Sequence, residues 1–97
     1  MNDRFAALRA ATDAALFDGA GATPKELRRS VAAGSPPPGL LELVRKIRSR
    51  AYTVNDDDLA VLKSSYSEDQ LFEIVVAAAF GAATDRLTAA ARALEDA

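Results

Sequence analysis

From Ser67 to Leu94 the chain runs without a proline and with a single glycine, Gly81. That stretch constrains the fold more than any other feature. It opens on Ser67-Glu68-Asp69-Gln70, a capping box: Ser at the N-cap offers an acceptor to the N3 amide, and Gln at N3 reaches back to the N-cap amide. Apolar residues then recur at three- and four-residue spacing in two neighbouring rows. One is Leu71, Ile74, Val75, Ala78 and Ala82; the other is Phe72, Val76, Phe80, Ala83, Leu87, Ala90 and Leu94. The spacing predicts one unbroken helix of about seven turns, apolar over a wide arc. A glycine inside a helix costs about 1 kcal/mol relative to alanine, so Gly81, flanked by Ala77, Ala78 and Ala82, predicts that another helix backbone comes close there.

The rest of the chain supplies shorter helices to pack against it. Asn2 to Phe17 carries Phe5, Leu8, Ala15 and Leu16 on one stripe and stops at Asp18-Gly19-Ala20-Gly21. Thr23-Pro24-Lys25-Glu26 has the form of a second helix start, with Thr23 as cap, Pro24 at N1 and Glu26 at N3. That helix should continue through Leu27 and Val31 to a stop near Gly34. Ser35-Pro36-Pro37-Pro38-Gly39 follows as a stiff connector, because each proline disfavours helix in the residue before it. A third helix is expected over Leu40 to Tyr52, with Leu40, Leu43, Val44, Ile47 and Ala51 inward. A fourth, short one follows Asn55 or Thr53 as cap, with Asp56, Asp57 and Asp58 in its first turn and Leu59, Leu62 and Val61 as its apolar contacts. The expected fold class is therefore all-α, a small bundle of about five helices with a long Ala-rich C-terminal helix. Residues 1–97 form one domain, divided into an N-terminal helix pair (1–34), the Pro-rich connector (35–39) and a helical core (40–97).

Composition narrows the chemistry. Cys and His are both absent, which excludes disulfides, thiol redox chemistry, Ser-His-Asp and Cys-His catalysis, and zinc sites built on sulfur or imidazole. Twenty-two of the 97 residues are alanine, so the large side chains available for a core are few. The charge balance of −2 hides a basic middle and an acidic end. Residues 24–50 carry seven Lys/Arg against two Glu, and residues 51–97 carry three Lys/Arg against nine Asp/Glu. Two readings stay open: the middle binds nucleic acid while the acidic end serves as an interaction tail, or the two stretches face each other, within one chain or between subunits, or are simply solvated. The N-terminus has an early acid and no apolar h-region, unlike a signal peptide. The longest run free of strongly polar residues, Ile74 to Ala83, falls short of the roughly 20 residues that span a bilayer. A cytoplasmic protein with neither a membrane nor a nucleic-acid partner is expected.

Several residues invite a chemical role. Asp56 to Asp58 lie about 100° apart on a helix, cannot all reach one ion, and are followed by no EF-hand loop; they suit the helix dipole instead. Glu73 is the one acid positioned for burial, while Glu68 and Asp69 belong to a solvated first turn. Gly19-Ala20-Gly21-Ala22-Thr23-Pro24 feeds a helix N-terminus, a potential anion site, but lacks a preceding strand and a P-loop lysine. Arg45, Lys46, Arg48 and Arg50 form a basic face without the aromatic interleaving of a nucleic-acid surface. No cofactor or metal site is expected.

Ala51 to Leu94 resembles the C-terminal part of carboxymuconolactone decarboxylase-like, or alkylhydroperoxidase D-like, proteins. The likeness rests on a short helix, then Ser65-Tyr66-Ser67-Glu68-Asp69-Gln70-Leu71 as the turn, then the long Ala-rich helix. The resemblance implies an all-helical bundle that assembles into trimers, hexamers or similar rings. It also implies a peroxidase motif built on Cys and His one short helix earlier. There this chain has Tyr52-Thr53-Val54-Asn55-Asp56-Asp57, so no catalytic residue carries over. The expected function is a non-catalytic family member acting in assembly, as a homo-oligomer or as a small subunit of a larger complex. The alternative is an enzyme of decarboxylase-like or isomerase-like type around Glu73, Tyr52 or an Arg. The expected interface is the long helix, through Phe72, Val76, Ala77, Phe80 and Gly81. The competing expectation is that this surface is the monomer's own core.

Overall fold

The computed structural model describes residues 10, 11 and 21–96. Among them are four bounded α-helices and no strand: α1 (Lys25–Ala32), α2 (Leu41–Arg50), α3 (Asp56–Ala60) and α4 (Glu68–Asp96). The expected first helix lies outside the described residues, apart from positions 10 and 11, which are helical. The all-α class therefore holds, with four helices described rather than five.

Each helix boundary has a local cause. α1 ends where Gly34 adopts φ +80°, the left-handed conformation that glycine takes without penalty. The three prolines lead into a 3-10 turn, Pro38–Leu40, that buries Leu40 completely. The helix expected over Leu40 to Tyr52 is α-helical only over Leu41–Arg50 and tightens into a second 3-10 turn at Ala51–Thr53. Ala51 is consequently exposed rather than inward. Asn55 caps α3: its side chain accepts from the amides of Asp57 (3.0 Å) and Asp58 (3.1 Å), and Asp58 accepts from the Asn55 amide at 2.9 Å. Asn55→Ala removes the one oxygen that accepts both bonds and should cost about 1 kcal/mol, measurable as a lower urea midpoint with an unchanged slope.

α4 begins at the expected capping box, with Ser67 N–H donating to Gln70 Oε1 (2.8 Å) and Gln70 N–H to Ser67 Oγ (3.1 Å). It then runs 29 residues through Gly81 without a break. α1 and α2 pack along one side of it. The core comprises Val31 from α1, Leu40 with Leu43, Val44 and Ile47 of α2, and Leu71, Ile74, Ala77 and Ala78 of α4. Leu59 and Leu62 lie partly buried against it, whereas Val61 is exposed instead of packed.

The close approach expected at Gly81 is present. A Cβ there would lie 2.0 Å from the carbonyl oxygen of Ala32 and 2.7 Å from its carbon. The neighbour is α1 of the same chain. The row of Leu71, Ile74, Ala77, Ala78, Gly81 and Ala82 is thus the seam of the chain's own core. Phe72 stays 70% exposed, and Leu94 80%.

Candidate functional site

Two clusters of polar side chains hold the helices together, and both draw on residues that the sequence singles out. The first is built around Glu73. Its Oε2 accepts from the Ala22 amide at 2.5 Å, and its Oε1 accepts from the Thr23 amide at 3.1 Å and the Thr23 hydroxyl at 2.7 Å. The guanidinium of Arg28, itself buried, places Nε 4.0 Å from Oε1. Burial pushes the Glu73 carboxyl up, but the Thr23 hydroxyl, the two amides and the Arg28 charge outweigh it, and the net direction is down.

The loop ahead of α1 holds an anion, the chain's own Glu73 carboxylate, but through the amides of Ala22 and Thr23, which precede the N-cap, and not through the first amides of the helix. This also corrects the expected cap of α1. Pro24, expected at N1, holds the N-cap position instead and has no side-chain acceptor to offer, while the Thr23 hydroxyl is turned to Glu73 on α4. Gln70 adds a contact invisible to local pattern: its amide, besides closing the capping box, donates to Ala22 O at 3.2 Å.

The second cluster distributes the basic face. Lys46 donates to both carboxylate oxygens of Asp58, at 3.0 and 2.9 Å. The hydrogen bond from Lys46, then that from the Asn55 amide, hold the Asp58 carboxyl below its ordinary value against some desolvation. Arg48 donates through Nη1 to Ala32 O at 2.9 Å and through Nη2 to Asp85. Arg86 returns from α4 to donate to the Arg48 carbonyl. The pairs Arg28–Glu73, Lys46–Asp58 and Arg48–Asp85 each join the basic middle to the acidic C-terminal half within one chain. Arg45 and Arg50 remain exposed at the surface.

No group of three or more Asp, Glu, His or Cys could hold a metal ion among the described residues. Asp56 and Asp57 are exposed at the first turn of α3. Of the residues expected at an interface, Ala77 and Gly81 lie in the internal seam, Val76 and Phe80 are half-buried, and Phe72 is exposed. Phe72 also borders a groove of about 330 Å³ with Leu59, Lys63, Glu68, Leu71 and Val75. α4 is the one described helix long and apolar enough to cross a membrane by length and composition, with 28% of its most apolar window buried.

No family model matches the chain, and no curated protein or solved structure is found to be similar to it.

Proposed function

We propose that this chain is a non-catalytic helical protein of alkylhydroperoxidase D-like type that acts in assembly through α4, as a homo-oligomer or as a small subunit of a larger complex. The observation that carries the reading is the outer surface of that helix. Beyond Ala82 no described residue of α4 is buried, yet Leu87 and Leu94 lie there, and Phe72 is exposed nearer its start. Apolar surface continued along one helix marks an interaction site more often than chance exposure does.

The alternative, chemistry at Glu73, is disfavoured by the bonds that Glu73 makes. A general base needs a pKa near the working pH, whereas the Glu73 carboxylate is held by three hydrogen bonds that stabilise its charged form and its pKa is lowered. A cytoplasmic location is supported by the packing of α4 on α1 and α2, although its length and composition also suit a bilayer.

Light scattering from about 10 to 500 µM tests the assembly. We expect the mass to rise to at least twice 10.2 kDa. A species of monomer mass at every concentration, binding no other protein, would overturn the reading.

A further inference from the structure

The outer face of α4 has an internal symmetry that specifies its partner. Opposite the buried seam, Phe72, Val76, Ala79, Ala83, Leu87, Ala90 and Leu94 follow one another at intervals of 4, 3, 4, 4, 3 and 4. None of the seven is buried. Phe72 to Ala83 and Ala83 to Leu94 each span eleven residues. Because an eleven-residue repeat is 3.67 residues per turn, the row stays almost parallel to the axis of a straight helix for about 33 Å. All seven positions are apolar.

The same intervals occur in either direction from Ala83. If a second α4 is laid antiparallel with Ala83 on the two-fold axis, every position of the row meets another. Ala83 meets its own copy, Ala79 meets Leu87, Val76 meets Ala90, and Phe72 meets Leu94. Small residues fall at the centre, where the backbones come closest, and the largest pair falls at each end. A surface complementary to itself under a two-fold rotation is what an isologous dimer requires. At each end the groove of about 330 Å³ beside Phe72 gives Leu94 of the second copy a place to enter. Glu95 and Asp96 of that copy then approach Lys63, and also Glu68 and Asp69, which limits the affinity.

Resting on the assembly reading above, we infer that the partner of α4 is a second copy of this chain, docked antiparallel across a two-fold axis at Ala83. The row covers about 33 by 10 Å, an area well under the roughly 800 Å² per partner of a standard interface. The dimer is therefore weak and depends on concentration.

The absence of cysteine makes the test clean. Ala83→Cys in the full chain, treated at about 100 µM with oxidised glutathione as the two-electron acceptor, should form a disulfide-linked dimer. Ala79→Cys should not, because two copies of residue 79 are offset by eight residues, about 12 Å along the axis, and a disulfide needs Cα atoms within about 7 Å. Mixing Ala79→Cys with Leu87→Cys should restore linkage. As a check free of cysteine, Phe72→Lys and Leu94→Glu should each weaken self-association at least tenfold, and their mixture should recover it through the opposed charges at one end. Association without these linkage and mixing patterns overturns the antiparallel arrangement and leaves the assembly reading standing. A protein that is monomeric and unlinked at every concentration overturns both.

Discussion

Gly81→Val should abolish cooperative folding of the chain. The Cβ alone would stand 2.0 Å from the Ala32 oxygen, 2.7 Å from its carbon and 2.8 Å from its Cα, and all three atoms are backbone. Relief requires α1 to move away from α4 as a unit. That movement opens the contact of Val31 with the core and stretches the bond from Arg48 Nη1 to the same Ala32 carbonyl. Overpacking a close contact costs about 1–3 kcal/mol, and more where rigid backbone blocks relaxation. The opposing gain in helix propensity is at most about 1 kcal/mol. A domain of this size has only roughly 5–15 kcal/mol in all, and a core rich in alanine puts this one at the low end. Gly81→Ala is the graded probe, with an expected net loss of about 2 kcal/mol or more. Circular dichroism during urea titration reads both variants. A Gly81→Ala midpoint at or above that of the parent would show that the α1–α4 contact is looser than this geometry.

What the sequence made legible follows the range of each interaction. The Ser67–Gln70 box, the Asn55 cap and the stop at Gly34 depend on residues within a few positions, and each is found where the spacing puts it. Gly81 was legible too, because an unexplained helical glycine implies a neighbour, although the neighbour's identity was not. Thr23 shows where local rules end. Thr-Pro-x-Glu satisfies the capping pattern, yet the hydroxyl serves a carboxylate fifty residues away, a competitor no local window contains. Arg48 is similar: within its own helix it is one of several outward cations, and only the packing reveals that it bridges Ala32 and Asp85.

The two apolar rows of α4 teach the same point. Both satisfy the helical period, so periodicity alone marks a wide arc and cannot choose a side. The choice follows from size. Gly81 with Ala77, Ala78 and Ala82 makes one side of the helix small enough to admit the backbone of α1, and Phe72, Leu87 and Leu94 on the other side are left exposed.

Glu73→Ala should be the most damaging polar substitution in the described chain, with a loss of about 2–4 kcal/mol. The change removes the acceptor of two amides and one hydroxyl and takes away a carboxylate 4.0 Å from Nε of the buried Arg28 guanidinium. Hydrogen bonds to a charged group contribute roughly 1.5–3 kcal/mol, and deleting one member of a buried charge pair costs more than an exposed pair contributes. Glu73→Gln keeps the shape and one acceptor oxygen, but turns an NH2 group toward N–H donors, so most of the loss should persist. The acid behaviour separates charge from shape. Glu73 has a folded pKa below its ordinary value, so in acid the unfolded chain takes up the proton more readily than the folded one. Its contribution is therefore complete above the usual carboxylate range near 4.3 and is lost as pH falls through the lowered folded value. The parent should lose stability through that window, and Glu73→Gln, with nothing to protonate at this position, should lose less. Urea midpoints taken between pH 7 and pH 3 make the comparison. Parallel curves for the two proteins would mean that the latch to Thr23 draws nothing from the negative charge of Glu73.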